Sequence, residues 1–209
     1  MQLTLFGATG KTGRHVLEQA LAQGHCVTAL VRNTDKLSIR HDRLKAIQGD
    51  VRNAAQVAQA VASAEAVISV LGPSSNRPEL AVSQGIDNIL AAMRQHGVRR
   101  LIQTAGAGVR DPRDQPTLVH AFFGILVRLL TPNVLADMVQ VVQKVRVSGL
   151  DWTVVRVPRL TDDPARENVR VGYVGKDVGP SLARADLADF VLKQLEDNTY
   201  LSQAPAVSN

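Results

Sequence analysis

Residues 2–13 read Gln2-Leu-Thr-Leu-Phe6 followed by Gly7-Ala-Thr-Gly10-Lys11-Thr-Gly13, and this passage decides the fold. The first five residues form a short apolar strand. Gly13 to Gln23 then carries Val16, Leu17, Ala20 and Leu21 at helical spacing. Gly7, Gly10 and Gly13 stand three apart, which permits a tight turn, close approach of the backbone to a pyrophosphate, and close packing of helix on strand. The amides of Lys11, Thr12 and Gly13 become free donors at the positive end of the helix dipole, with the Thr9, Lys11 and Thr12 side chains in reach of phosphate oxygens. A tight turn with nothing bound uses the same glycines, but the placement between strand and helix favours a ligand. Gly10-Lys11-Thr12 looks like the end of a nucleoside-triphosphate loop. That motif needs a glycine five residues before Gly10, where Leu5 stands, so the spacing excludes it.

Outward from this turn, strand-like and helix-like segments alternate. Gly24-His25 ends the first helix, and Cys26 to Val31 is a β-branched run suited to a strand covered on both faces. Further strands are expected at Leu44 to Gln48, Ala66 to Leu71, Arg100 to Thr104 and Asp151 to Val157. Helices are expected at Asn53 to Ala62, about Pro78 to His96, Thr117 to Leu130, Asn133 to Ser148 and Arg184 to Glu196. Thr161-Asp-Asp-Pro reads as a turn, Arg170 to Val174 as a short strand, and the tail from Tyr200 as a last strand or a frayed end. Such alternation implies an α/β, doubly wound parallel sheet. One domain is expected over 1–209, with a small C-terminal substrate-side lobe and substrate-side segments at about 109–135 and 158–182.

Composition narrows the class. The 209 residues are 45% hydrophobic and 21% charged, as in ordinary globular chains rather than disordered ones. No apolar run reaches membrane-spanning length; Ala121 to Leu130 is interrupted by Arg128 and followed by Pro132. The N-terminus lacks the pattern of an export signal. The single cysteine, Cys26, can form no internal disulfide, which fits a reducing compartment, and a cytoplasmic location is expected. The net charge of +5 comes from arginines scattered along the chain, and aromatics make up 3%, too few for a base-stacking platform. Neither a nucleic-acid nor a membrane partner is expected. The five histidines show no metal-ligand spacing, so no metal is expected.

Nineteen residues past Gly13, at the end of the second strand, stands Arg32. NAD enzymes usually place an acid here to hold the adenosine 2′-hydroxyl, whereas an arginine favours a 2′-phosphate. NADP is therefore expected over NAD, with Lys36 as a second cation; a surface arginine after a strand is the plainer reading of Arg32.

The chain resembles the atypical short-chain dehydrogenase/reductases, the NmrA-like NAD(P)H-binding group with a Rossmann fold, and is similar to the small flavin reductase/biliverdin-IX-beta reductase enzymes. The matching stretches run in order through almost the whole chain. They are Phe6-Gly-Ala-Thr-Gly-Lys-Thr-Gly, Ala29-Leu-Val-Arg-Asn, Gly49-Asp-Val-Arg, Val70-Leu-Gly-Pro, Gly97-Val-Arg-Arg-Leu-Ile, Ser148-Gly-Leu-Asp-Trp-Thr-Val-Val-Arg and Ala183-Arg-Ala-Asp-Leu-Ala. The resemblance implies that Asp50 and Val51 lie beside the adenine and Leu71 and Gly72 along the cofactor. It also puts Thr104 and Ala105 near the nicotinamide ribose and Val157 and Pro158 near the nicotinamide. Simple strand-end packing accounts for Leu71, Val157 and Pro158 equally well, and a turn or helix cap for Asp50.

The chain also departs from that pattern. The wider superfamily uses a tyrosine acid four residues before a lysine, but Tyr173 and Tyr200 are followed at that distance by Asp177 and Ala204. Lys144 occupies the corresponding lysine position, with Gln140 in place of the tyrosine, and glutamine cannot act as a general acid. Thr104 and Lys144 are the remaining catalytic candidates, Lys144 also as a cofactor ligand. A flavin or quinone-like acceptor tolerates the loss, because its incoming charge is delocalised and solvent supplies the proton. A flavin would then bind transiently as substrate. Phe122, Phe123 and Arg159 are candidate acceptor contacts, although the two phenylalanines also suit a hydrophobic core. The expected function is an NADPH-dependent reductase acting on a small aromatic acceptor, as monomer or homodimer. The alternative is an NmrA-like non-catalytic NADP-binding redox sensor or regulator.

Overall fold

The computed structural model describes residues 1–73, 75–76, 80–117 and 128–209. Six parallel strands form its centre: β1 (Gln2–Phe6), β2 (Cys26–Val31), β3 (Leu44–Gln48), β4 (Ala66–Ser69), β5 (Arg100–Gly106) and β6 (Asp151–Val157). They lie in the spatial order β3-β2-β1-β4-β5-β6. Four strands of three residues follow, β7 (Arg159–Thr161), β8 (Arg170–Gly172), β9 (Ser181–Ala183) and β10 (Ala206–Ser208). β10 extends the sheet parallel to β6 and pairs antiparallel with β8, while β7 and β9 make a separate parallel ribbon. This is the expected doubly wound Rossmann sheet with an antiparallel edge. Its winding reverses between β1 and β4, which opens a crevice at the carboxyl ends of the strands.

Both faces are covered, as the near-continuous apolar strands require. On one face, α2 (Ala54–Val61), α3 (Ala81–Gln95) and α4 (Pro132–Arg146) pack Val57, Ile86, Ile89, Met93, Val141 and Val145 onto the sheet. On the other, α1 (Lys11–Ala22) and α5 (Arg184–Lys193) bury Val16, Leu17, Leu187 and Val191.

Expected and observed boundaries differ at particular places. α1 starts at Lys11, two residues before Gly13; β4 ends at Ser69 and β5 runs on to Gly106. Of the helix expected over 117–130, residues 118–127 lie outside the described residues and 128–130 are helical; the Pro78 start of the helix expected to reach His96 also lies outside them. β7 ends at Thr161, where the sequence reads as the opening of a turn, and β9 has no counterpart among the expected strands.

Two long-range contacts fix the parts around the crevice. The first amides of α3 receive no cap from their own segment, where Leu80 adopts a left-handed conformation (φ 46°). Asp137 of α4 caps them instead, its buried carboxylate accepting from the amides of Val82 (3.1 Å) and Ser83 (2.8 Å). The second contact is made by Arg156 in β6, whose side chain is completely buried. It donates from Nη1 and Nη2 to the two oxygens of Asp114, each at 2.7 Å, from Nε to the Ala204 carbonyl at 2.7 Å, and from Nη1 to the Val109 carbonyl at 3.0 Å. Asp114 also accepts from the amides of Asp111 and Val174. Burial alone would raise the Asp114 pKa, but the hydrogen bonds and charge of Arg156 outweigh it and hold the carboxyl below its ordinary range.

Two outcomes are expected in urea denaturation. Gly13→Ala places a Cβ 2.0 Å from the Gly7 carbonyl oxygen and should cost about 1–3 kcal/mol; a variant as stable as the parent would contradict the packing described. Arg156→Met leaves Asp114 buried without its partner and should cost about 3–5 kcal/mol at neutral pH. A carboxyl lowered by folding contributes fully above its unfolded pKa and loses that contribution as the pH falls through its folded one. The acid-dependent loss of stability should therefore be smaller in Arg156→Met than in the parent.

Candidate functional site

The turn after β1 is built by glycine sterics. Gly7 has φ +93°, open to glycine without strain, and the Gly10 amide donates to the Gly7 carbonyl at 3.0 Å. Gly13 sits so close over that carbonyl that no side chain fits, which draws the start of α1 onto the sheet. Gly10 supplies no side-chain cap and the first turn of α1 contains no acid, so the amides of Lys11, Thr12 and Gly13 face the crevice without a carboxylate from their own segment.

A cavity of about 580 Å³ opens from this turn. Its polar end is formed by Gly10 to Gly13 and by the guanidinium of Arg184 at the start of α5. Leu71 and Gly72 beyond β4, Thr104 and Ala105 of β5, and Val157 of β6 form its floor. The far end is apolar, walled by Val109, Val134, Leu135, Met138 and Leu160. Asp162, just after β7, accepts from Lys11 Nζ at 2.8 Å and from Arg184 Nη1 at 2.5 Å.

A second, more open cavity of about 540 Å³ lies at the ends of β2 and β3, lined by Arg32, Gln48, Gly49, Asp50 and Gln56. Arg52 holds the Asp50 carboxylate through paired hydrogen bonds (2.7 and 3.0 Å) and lowers its pKa to about 2, so it stays ionised at neutral pH. Gln56 Oε1 accepts from the Asp50 amide at 2.9 Å and fixes this turn.

The structure thus gathers Gly10, Lys11, Thr12, Gly13, Leu71, Gly72, Thr104, Ala105 and Val157 around one cavity, and Arg32 with Asp50 around the other. Gly7 shapes the turn from behind, where a Cβ would meet Val70 at 3.1 Å. Thr9 and Pro158 lie beside the first cavity's elements without lining it, and Arg159 is exposed. Lys36 closes a short 3-10 turn and points to solvent, apart from Arg32's cavity. Val51 packs against Gly85 of α3, and its carbonyl accepts from Asn88. Lys144 is not brought to the cavity. Its ammonium donates to Asp87 (2.6 Å) and to the Ser83 carbonyl (2.9 Å), because that face of α4 packs against α3. The α4 side chains that do reach the cavity are Val134, Leu135 and Met138, roughly two to three helical turns earlier. Phe122 and Phe123 lie outside the described residues. Thr104 is largely buried, its hydroxyl 3.5 Å from the Ser69 carbonyl.

Leu160 falls in the expected substrate-side segment 158–182, and Val134 and Leu135 in 109–135, whereas Arg184 and Met138 lie outside the expected site residues and segments. Arg184 had a visible signal, since it falls inside the Ala183-Arg-Ala-Asp-Leu-Ala stretch.

Residues 7–198 match the family model described as NAD(P)H-binding. Two curated relatives, an uncharacterised chloroplastic protein of Arabidopsis thaliana and the uncharacterised protein YwnB of Bacillus subtilis, are each 29% identical, over 78% and 52% of this chain. The chain spans 60% and 48% of their lengths. Among solved structures, a short-chain dehydrogenase/reductase from Veillonella parvula in complex with NADP superposes with a TM-score of 0.84 at 20% identity, covering 100% of this chain and 94% of that one. ChuY, described as an anaerobilin reductase from Escherichia coli, gives a TM-score of 0.78 at 20% identity, covering 100% and 97%. With a glycine turn and strand order suited to a dinucleotide, the match over almost the whole chain shows that the chain belongs to the NAD(P)H-binding family, and the solved structures share its Rossmann fold.

Proposed function

We propose that the chain is an NADPH-dependent oxidoreductase that passes hydride to a flavin or quinone-like acceptor. The observation that carries this reading is the polarity of the main cavity, which is cationic at the α1 turn and apolar between β5, β6 and α4. The residues fit the dinucleotide. The Gly7/Gly13 contact leaves room for backbone against a pyrophosphate, the α1 amides face it, and Lys11 and Arg184 flank it. Arg32, which lines the second cavity with Gln48 and Gly49, would pair with a 2′-phosphate bound there.

The reduced nicotinamide supplies the hydride when bound. Val157 and Ala105 form the floor on which such a ring would rest, and Met138, Val134 and Leu135 exclude water from the apolar end. Among the described residues lining this cavity, the Thr104 and Thr12 hydroxyls are the uncharged side-chain hydrogen-bonding groups, and no carboxylate, histidine or tyrosine is present. An acceptor whose charge spreads over a ring, with its proton taken from water, matches such a wall; a simple carbonyl needs an acid that it does not offer. The α1 amides, Lys11 and Arg184 would position the donor, and stacking on the apolar wall would position the acceptor.

NADPH oxidation followed at 340 nm with flavin, quinone and carbonyl acceptors tests the reading. Turnover is expected with flavins or quinones and not with simple carbonyls. Tight NADPH binding without turnover on any acceptor would instead favour a cofactor-reading sensor. Arg32→Asp should weaken NADPH binding by about tenfold or more while leaving NADH binding little changed, as expected for loss of one charge-assisted contact to the 2′-phosphate. Equal loss for both cofactors would remove Arg32 from the specificity role.

A further inference from the structure

Each oxygen of the Asp162 carboxylate is held by a different cation, Oδ2 by Lys11 and Oδ1 by Arg184. The arrangement is built by the fold. Asp162 follows β7 and Arg184 follows β9, and the register of that ribbon sets Thr161 against Ala183, so the two side chains emerge together. Lys11 reaches them from the first turn of α1. Arg184 is mostly buried (17% side-chain exposure), whereas Asp162 is more than half exposed and faces both cations from the solvent side. The neighbouring Asp163 is paired with Arg166, 3.7 Å away. The hydrogen bond from Lys11 and the charge of Arg184 keep the Asp162 carboxyl below its ordinary range, so it is an anion at neutral pH.

We propose that Asp162 is an internal competitor for the cofactor's pyrophosphate: Lys11 and Arg184 are the pyrophosphate's side-chain ligands, and the incoming anion takes them from Asp162. This rests on the NADPH reading given above. A single carboxylate neutralises one of the two cations, whereas a pyrophosphate carries charge for both and also accepts from the α1 amides, so it displaces Asp162. Leu160, on β7 and two residues before Asp162, lines the apolar end of the cavity. Occupation of the phosphate site is thereby linked to the acceptor wall through the short run from Leu160 to Asp162.

Calorimetric titration of NADPH and of 2′-AMP into the parent chain and Asp162→Asn tests this. Removing the competitor should tighten NADPH binding by about three- to tenfold, the scale of one or two exposed ion pairs. 2′-AMP, which has no 5′-phosphate and engages only the Arg32 end, should bind both chains equally. Adding Arg184→Gln to Asp162→Asn should abolish the gain. Weaker NADPH binding to Asp162→Asn would show that Asp162 positions the two cations rather than competes, and overturn the proposal. Unchanged NADPH binding, or equal tightening of 2′-AMP, would overturn it as well while leaving the cofactor reading standing. Failure of the parent chain to bind either ligand would sink the cofactor reading and the competitor together. Asp162→Ser repeats the test with a smaller side chain should the asparagine retain the contact to Arg184.

Discussion

The buried pair of Arg156 and Asp114 holds together the half of the molecule that carries the substrate side. Among the fully buried side chains Arg156 is the largest, and it spends its donors on three separate pieces of chain. The Ala204 carbonyl anchors the C-terminal run that leads into β10, the Val109 carbonyl fixes the segment leaving β5, and Asp114 ties in the Val174 amide beyond β8. A charge taken this far from water survives only when nearly all its donors are used, and here they are. The same carbonyl of Val109 belongs to a residue of the cavity wall, so the ion pair also sets where the crevice ends.

The site divides between two kinds of physics. At the β1–α1 turn the molecule supplies fixed positive potential from backbone amides and two long cations, with glycine sterics bringing the helix close. At the far end it supplies only shape and dryness. Such a division suits a ligand that is itself charged at one end and flat and neutral at the other. It also explains why variation in the apolar wall would alter what binds there without disturbing the phosphate end.

Much of this was legible in the sequence. β1, β2, β3 and β6 fall where expected because their apolar residues are grouped in short runs between turns, and the three-residue spacing of Gly7, Gly10 and Gly13 fixes the turn whatever follows it. The ribbon of β7 and β9 was not legible, since three residues carry no periodicity and its partners lie twenty-two positions apart. The meeting of Asp162 with Arg184 and Lys11 depends on that pairing and was hidden with it. Lys144 was placed by analogy of spacing alone. In the structure helical phase turns it toward Asp87 and leaves Met138 to face the crevice.

The capping of α3 by Asp137 joins two processes that are separate in most helical pairs. A helix whose first amides are served by its own Ser or Asp can form its opening turn before anything docks on it. Here the acceptor lies 54 residues downstream from Ser83, on α4, one residue before Met138. The contact that seats α4 is therefore also the one that satisfies the first amides of α3. If α4 swings outward to admit a bulkier ring, the amides of Val82 and Ser83 lose their acceptor at the same moment. The cost of displacing the cavity wall thus includes the loss of a neighbouring helix's cap.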